Sequence, residues 1–224
     1  MIDENRSSVG SELLAMKRIR EKIHEFDSSG AIRLHKMEFF SVSELKVCSK
    51  IINSYNNIRE NKFIGSQYEW LARLCESQNI SGLQLCAHED DKEVEVIIPM
   101  VTMIENSEGS FKIDSQYSGT DEYNLFKYFE FPVLKLTKKG MAKISKEHGW
   151  ESIMEMTWFC HNPIDGKPCG RCNPCLCTAE QGFAWRIPAY RLYLGKIYHF
   201  ARTFIKPIVR NIFSDSERKR ELRN

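Results

Sequence analysis

The sequence predicts an α/β fold in which helices cover a sheet. Apolar residues recur at three- and four-residue steps along several segments, which is typical of helices with one buried face. Between these segments lie short apolar or alternating runs, which are typical of strands. The chain has 224 residues, of which 42% are hydrophobic and 28% are charged, so we expect a folded globular protein with a sizeable core.

The first 87 residues alternate between helix and strand patterns. We predict helices over 11–26, 42–57 and 66–78, and strands over 31–37 and 82–87. The polar run Asp27-Ser28-Ser29-Gly30 ends the first helix, because these residues favour turns. Alternation of helices with strands is typical of a sheet layered with helices.

The pattern is weaker from residue 88 to 130. The acidic turn His88-Glu89-Asp90-Asp91 is typical of a solvated loop. The apolar run from Val94 to Ile104 is too short to cross a membrane, and we predict a strand there. The chain starts with polar residues and lacks the apolar segment of a signal peptide, so we expect a cytoplasmic protein.

Two further helices are predicted in the second half of the chain. Thr137 can cap the first, with Met141, Ile144 and His148 on its apolar face and Gly149 at its end. The second is an amphipathic C-terminal helix whose apolar stripe runs over 197–212, with a kink near Pro207.

Five of the eight cysteines fall between Cys160 and Cys177, which indicates metal binding in a chain without an export signal. Four of them follow the spacing C-x8-C-x2-C-x2-C, namely Cys160, Cys169, Cys172 and Cys175. Two intervening residues let successive thiolates converge on one ion. We therefore predict a structural Zn²⁺ with these four ligands, which holds a loop and does not activate water.

Two other interpretations of the cysteine cluster stay open. An iron–sulfur cluster also uses C-x2-C-x2-C spacing, although a fourth cysteine placed upstream is less typical of it. The other interpretation is a cysteine-rich turn without metal. Within the zinc interpretation, His161 or Cys177 could replace one ligand. The remaining cysteines, Cys48, Cys75 and Cys86, lie in apolar surroundings, and we expect small core residues there.

The cysteine loop resembles that of the 7-cyano-7-deazaguanine (preQ0) synthase family. That family has the same cysteine spacing, and usually a tyrosine and an asparagine after the first cysteine, where this chain has Cys160-His161-Asn162. The similarity continues upstream through Phe131-Pro132-Val133-Leu134 and the helix that follows. It extends more faintly over residues 8–180, and only the cysteine loop is specific.

The resemblance implies a Rossmann-like fold of the ATP pyrophosphatase (HUP) type and an ATP-dependent carbon–nitrogen ligase. Enzymes of the family bind ATP on an SGGxDS loop, adenylate 7-carboxy-7-deazaguanine, and convert it with ammonia to preQ0 in queuosine biosynthesis. This chain contains no SGGxDS sequence. We therefore expect a partial Rossmann-like sheet truncated at its N-terminus, with ATP and Mg²⁺ as cofactors only if that loop is supplied from elsewhere.

Other family motifs also differ. The PGRN-like segment corresponds to Ile64-Gly65-Ser66-Gln67, the GYPDCR loop has no counterpart, and Thr178 stands where the family has an arginine after the last cysteine. Catalytic and cofactor-binding residues are therefore unknown. Lys138, Lys139 and Glu89-Asp90-Asp91 are nearest to the family's site by position, and their alternative role is that of surface residues.

We predict three regions: a partial α/β domain over 1–150, a four-cysteine zinc-binding segment over 151–182, and a basic amphipathic helical tail over 183–224. The tail has ten Lys or Arg and three Asp or Glu, with aromatic residues between them. It could bind RNA or an anionic membrane surface. We favour a helix that packs its apolar stripe on the core or on a second copy, because charge runs are usually solvated faces.

Two functional hypotheses follow. The first is an enzyme of the preQ0 synthase type that acts on a deazapurine small molecule. The second is a non-catalytic zinc-binding interaction module. Under both hypotheses, a sheet that lacks its first strands exposes a hydrophobic edge, so we expect self-association or a partner protein that covers this edge.

Overall fold

The structure is a computed structural model that describes residues 6–91, 94–105, 107 and 109–201. The helices are α1 (Val9–Phe26), α2 (Ser28–Ala31), α3 (Ser49–Asn61), α4 (Gln67–Gln78), α5 (Val94–Ile97), α6 (Asp121–Phe126), α7 (Lys138–Glu147), α8 (Glu151–Met154), α9 (Asn173–Thr178) and α10 (189–201). The strands are β1 (Leu83–Gln84), β2 (Val101–Met103), β3 (Phe111–Ile113) and β4 (Phe129–Glu130). The chain forms two compact units, the first being Ile32–Met154. The second joins the residues up to Ala31 with those from Glu155 onward.

The strands of the first unit form two small ladders. β1 and β4 pair in parallel, and β2 and β3 pair antiparallel. The paired residues are Leu83 with Phe129, Gln84 with Glu130, Val101 with Ile113, Thr102 with Lys112, and Met103 with Phe111. Two backbone hydrogen bonds between Phe111 and Phe131, of 3.2 and 2.8 Å, join the ladders. The predicted mixed α/β class is confirmed, whereas the described residues show no Rossmann-like layered parallel sheet.

Aromatic rings occupy the centre of the first unit. Phe126, Phe129 and Phe131 are at most 1% exposed. Tyr68 of α4 packs edge-on against Phe126 with 5.3 Å between ring centroids, a geometry that adds to the gain from burial. The apolar face of α3, represented by Ile51, completes this core, so the helices are held by tertiary burial.

Two of the predicted helices in this half of the chain match the structure closely. The predictions over 11–26 and 66–78 are confirmed by α1 and α4. The helix predicted over 42–57 begins later, because Val42–Glu44 forms a separate 3-10 turn and α3 starts at Ser49. Its start was therefore predicted wrongly, although its existence was not.

The strand predictions were less accurate. The strand over 31–37 is wrong, because Ala31 ends α2, a turn follows at residues 32 and 33, and residues 34–37 form no strand. The strand over 82–87 is shortened to β1. The strand predicted from Val94 to Ile104 is confirmed only at its end, as β2. Before β2 the chain forms α5 and then a 3-10 turn at Ile98–Met100, where Pro99 has no N–H to donate to a neighbouring strand. Alternating sequence makes a strand only where a partner strand is available.

The helix predicted after Thr137 is confirmed as α7. The Thr137 side chain accepts a hydrogen bond from the Gly140 amide at 3.0 Å, and Gly149 follows the helix with a φ of +73°. Its predicted apolar face was wrong, because Ile144 and His148 are exposed. Hydrogen bonds at its N-terminus stabilise the helix instead. The Lys138 amide donates to the Asp90 carboxylate there at 2.7 Å.

The last described helix, α10, begins at residue 189, earlier than the predicted stripe. The predicted kink near Pro207 lies outside the described residues. None of the helices described is long and apolar enough to cross a membrane.

The buried core of the second unit consists largely of cysteines. Cys160, Cys169, Cys172 and Cys175 form one cluster with Ile187, and all five are at most 9% exposed. Partly buried side chains surround this cluster, namely Trp158, Phe159, Ala179 and Leu192. Few aliphatic side chains are buried among the described residues of this unit, so we expect a metal ion bound by the thiols to contribute much of its stability.

Candidate metal centre

A tight hairpin occupies the eight-residue spacer between the first two cysteines of the cluster. Ile164 and Lys167 exchange two backbone hydrogen bonds of 3.0 Å. Asp165 and Gly166 between them have φ values of +48° and +67°, as a two-residue type I′ turn requires. This turn folds the spacer back on itself and places Cys169 beside Cys160, so that the Cys169 amide lies 3.2 Å from the Cys160 sulfur.

The next two cysteines form a knuckle around Gly170, whose φ is +74°. This left-handed conformation turns the backbone so that the amides of Arg171 and Cys172 lie 3.5 and 3.3 Å from the Cys169 sulfur. Cys172 then caps α9, and Cys175 comes from the first turn of that helix, with a proline at the helix start.

The four sulfurs lie where a single ion could contact all of them. All are within 4.8 Å of one another, and three pairs are 3.4, 3.8 and 4.0 Å apart. Four thiolates at about 2.3 Å from a tetrahedral zinc would be about 3.8 Å apart. The geometry therefore fits a metal ion bound by Cys160, Cys169, Cys172 and Cys175.

The thiols share protons with one another. Hydrogen bonds with Cys160 and then Cys175 lower the pKa of Cys172. The hydrogen bond with Cys172 raises the pKa of Cys160 to about 11, and hydrogen bonds with Cys160 and Cys172 raise that of Cys175. Buried thiolates this close repel one another, so a full set of four needs a cation among them.

Arg191 of α10 holds the hairpin in place. Its Nη1 donates to the carbonyls of Ile164 at 2.7 Å, Lys167 at 3.2 Å and Pro168 at 3.4 Å, and its Nη2 lies 3.6 Å from the Asp165 carboxylate. The arginine is only 8% exposed. A buried guanidinium that satisfies several carbonyls fixes the loop conformation more firmly than a surface ion pair would.

Two more residues of α10 contact the knuckle. A Cβ on Gly195 would overlap the carbonyl of Gly170, so the helix approaches the knuckle as closely as glycine permits. One turn later, His199 Nε2 lies 2.7 Å from the Arg171 carbonyl oxygen. Arg191, Gly195 and His199 are spaced by four residues and lie on one helical face.

Sequence reasoning did not identify these contacts. It treated Arg191 as one of the solvated tail charges, whereas the side chain is buried against the cysteine loop. The four-residue spacing of Arg191, Gly195 and His199 is the sequence signal that could have indicated a helical face in contact with the cysteine loop. The dipeptide Asp165-Gly166 is likewise a recognised signal of a two-residue hairpin turn.

A tryptophan and an arginine support the residues just before Cys160. Trp158 Nε1 donates to the Cys160 carbonyl at 2.7 Å. Arg186 donates to the carbonyls of Glu155 and Thr157 and lies 5.0 Å above the Phe159 ring. Burial lowers the pKa of the Arg186 guanidinium.

The alternative ligands and the isolated cysteines can now be placed. His161 is exposed and Cys177 is half-buried, and neither belongs to the four-sulfur group found among the described residues. Cys75 is a buried core residue as expected. Cys86 is exposed, so its prediction as a core residue was wrong, since β1 ends before it. Cys48 is half-buried at the start of α3.

The acidic turn after β1 is not a simple solvated loop. His88 is only 7% exposed, and its Nε2 lies 3.3 Å from the Asp91 carboxylate. The turn meets the start of α7, where Asp90 accepts from the Lys138 amide, while Lys139 is exposed. These contacts give Asp90 the role of a helix cap and assign no catalytic role to the neighbouring side chains.

Comparison with known proteins identifies one family. A family model described as Queuosine biosynthesis protein QueC matches residues 116–185, which include all four clustered cysteines. No curated protein and no solved structure matches the chain. The resemblance drawn from the cysteine spacing is therefore confirmed over residues 116–185, which are similar to this family and make up less than a third of the chain.

Proposed function

We propose that this chain takes part in queuosine biosynthesis as a zinc-binding relative of 7-cyano-7-deazaguanine synthase. The observation that carries this proposal is the coincidence of two features in one segment. The segment matches the family, and it also holds four buried sulfurs that are spaced as ligands of one ion. The proposed zinc ligands are Cys160, Cys169, Cys172 and Cys175.

Zinc is favoured over an iron–sulfur cluster by the compactness of the site. Sulfur separations of 3.4 to 4.0 Å suit one tetrahedral ion, whereas a cluster distributes its cysteines over several irons. A zinc with four thiolates has no open position for water or substrate. Its proposed role is to hold the hairpin, the knuckle and α9 together.

The proposed reaction is that of the family, the ATP-dependent conversion of 7-carboxy-7-deazaguanine and ammonia to preQ0. Adenylation would turn a carboxylate oxygen into a good leaving group, and ammonia would displace AMP to form an amide. A second activation, at the amide oxygen, would let that oxygen leave and give the nitrile of preQ0. The chain has no SGGxDS sequence, so ATP and Mg²⁺ would be held by a loop supplied from outside it. No residue of this chain is assigned to catalysis.

The larger assembly follows from the same proposal. Strands that carry the ATP loop, contributed by a second copy or by a partner protein, would pair with the small ladders of the first unit and extend them into a larger sheet. Such pairing would cover the exposed strand edges of the first unit. We propose a cytoplasmic location for this assembly, where the cysteines would stay reduced.

Isothermal titration tests the enzymatic proposal. ATP–Mg²⁺ and 7-carboxy-7-deazaguanine are titrated into protein whose zinc content has been assayed in the same sample. The proposal predicts saturable binding of 7-carboxy-7-deazaguanine, and binding of ATP–Mg²⁺ in the presence of the protein that supplies the loop. Zinc near one per chain without binding of either ligand would contradict it.

The second candidate function is a non-catalytic zinc-binding interaction module. It is favoured by the large exposed side chains of α10, where Tyr190, Tyr193, Leu194 and Phe200 are 58 to 67% exposed. An exposed apolar and aromatic surface of this kind usually marks a binding site. Failure of both titrations, together with a retained macromolecular ligand, would favour this function.

A further inference from the structure

A groove runs beside the cysteine loop in the second unit. It has a volume of about 750 Å³, and its walls are the end of the hairpin, the 3-10 turn Ala184–Arg186 and the first turns of α10. Trp185 and Tyr193 line it and are 64% and 67% exposed. Two large exposed rings that line the same groove form an apolar patch, and such patches mark interaction sites more often than single exposed residues do.

A second cleft of about 540 Å³ continues from the first. The two share Pro168, Trp185 and Arg186, so Trp185 stands where they meet. Two more aromatic side chains, Trp158 and Phe159, line the second cleft. The two clefts together are lined by four aromatic side chains, namely Trp158, Phe159, Trp185 and Tyr193.

Positive charge accompanies these rings. Lys167 and Lys196 line the first groove, Arg18 and Arg186 line the second, and Glu155 is the carboxylate among the lining residues. The sequence beyond the described part of α10 is also basic, since residues 202–224 contain seven Lys or Arg and three Asp or Glu. The groove and the sequence beyond it thus favour a long anionic ligand.

We propose that this groove binds single-stranded nucleic acid. Bases stack on Trp185 and Tyr193, and phosphates lie against Lys167 and Lys196. Aromatic platforms beside a cationic track are how proteins bind single strands without reading their sequence. This inference is independent of the proposed enzymatic function, because the groove residues lie outside the four-cysteine group.

The composition of the groove disfavours a second copy of the chain as its occupant. Protein interfaces are depleted in lysine at their centres, whereas Lys167 and Lys196 flank the exposed rings here. Binding to an anionic lipid surface would use a continuous apolar face bordered by cations, whereas the rings here line clefts. A single strand satisfies both the rings and the cations.

The test measures binding of a labelled RNA of about 12 nucleotides by fluorescence anisotropy, with zinc-loaded full-length protein and several salt concentrations. Trp185→Ala is expected to weaken binding about tenfold, because one stacked base is lost. The double variant Lys167→Ala/Lys196→Ala is expected to reduce the slope of log affinity against log salt by about 0.7 for each lysine.

Matched controls come from the first unit. Phe63→Ala removes a ring that is 64% exposed, and Lys143→Ala removes a lysine whose side chain is 79% exposed. Both are expected to leave RNA affinity unchanged, and all variants must retain the zinc content of the parent.

The proposal is overturned if the protein does not bind RNA, whether or not it binds anionic vesicles. It is also overturned if the control variants lose as much RNA affinity as the groove variants, or if a mononucleotide at an equal nucleotide concentration displaces the RNA fully. Dimerisation that Trp185→Ala abolishes would also overturn it, since a second copy would then occupy the groove.

Discussion

Gly195 lies where α10 comes closest to the cysteine loop. The neighbouring knuckle has its own glycine, and a Cβ on Gly170 would meet the backbone of Arg191 at 2.5 Å. Two glycines facing each other in this way let a helix rest directly on a loop backbone. The side chains nearby, above all Arg191, can then reach past the knuckle to the hairpin carbonyls.

Substitution Gly195→Ala is expected to destabilise the second unit. The added methyl group would overlap the Gly170 carbonyl, and such overpacking typically costs about 1–3 kcal/mol. Gly10→Ala in α1 is the matched control, because nothing lies within 4 Å of a Cβ there. Thermal unfolding of both variants checks this. An unchanged melting temperature for Gly195→Ala would refute the close contact.

Thiol reactivity distinguishes the isolated cysteines. Burial raises the pKa of Cys75 to about 11, so at about pH 8 little of it is thiolate and its reaction with a thiol reagent is slow. Cys86 is exposed and should react quickly. In zinc-loaded protein, Cys86→Ser is expected to remove a fast phase that Cys75→Ser leaves intact. Ser variants of Cys48 and Cys177 show whether either thiol contributes to the fast phase. A fast phase that survives Cys86→Ser and comes from neither of them would contradict this assignment.

At the scale of elements, α10 acts as a brace for the cysteine loop. One face of the helix carries Arg191, Gly195 and His199 against the hairpin and knuckle, and the other face presents exposed rings. The helix therefore contacts the cysteine loop and also forms part of the groove wall.

Arg191→Ala is expected to speed the transfer of zinc to a chelator about tenfold. The variant loses a buried charged donor, and a hydrogen bond to a charged group is worth about 1.5–3 kcal/mol. The rate of zinc transfer from Arg191→Lys should lie between those of Arg191→Ala and the parent, because an ammonium group cannot reproduce the planar arrangement of guanidinium donors. Arg33→Ala, at an exposed position, is the control. Equal release rates for all four proteins would show that the brace is unimportant.

The cap of α7 gives a second test at this scale. Thr137→Ala removes the hydrogen bond to the Gly140 amide and is expected to lower the free energy of unfolding by about 1 kcal/mol. Ser66 precedes α4 without a side-chain cap hydrogen bond, so Ser66→Ala should cost much less. Urea titration followed by circular dichroism compares the two. The expectation fails if both variants lose the same free energy.

Helices were easier to predict from the sequence than strands, for a physical reason. A helix such as α4 satisfies its hydrogen bonds within one segment, so periodicity and a C-terminal residue such as Asn79, with a φ of +53°, are enough to locate it. A strand depends on a distant partner, and β1 finds only two residues of β4. The run over 31–37 has a strand pattern, but the chain leaves α2 there and forms no strand.

At the scale of the whole molecule, the two units are stabilised in different ways. The first has an aromatic and aliphatic core built from its helices and ladders. Among the described residues, the core of the second unit is made mostly of four thiols, which are small and bury little apolar surface, so metal–thiolate bonds would supply much of its folding free energy. The metal centre is therefore expected to decide whether the second unit folds.

The candidate site was only partly accessible from the sequence. Spacing was sufficient to single out Cys160, Cys169, Cys172 and Cys175, because C-x2-C steps have a local geometric meaning. The residues that brace them could not be found from local spacing alone. Arg191 and His199 reach the loop from a separate helix, and only the folded chain shows that proximity.

Elemental analysis of the purified chain, with an absorption spectrum of the same sample, tests the central claim most directly. The account predicts about one zinc per chain, no iron, and no visible absorption band. It also predicts that Cys172→Ser loses the metal while Cys86→Ser keeps it. Protein that is folded and free of metal, or that contains iron and sulfide, would contradict the account.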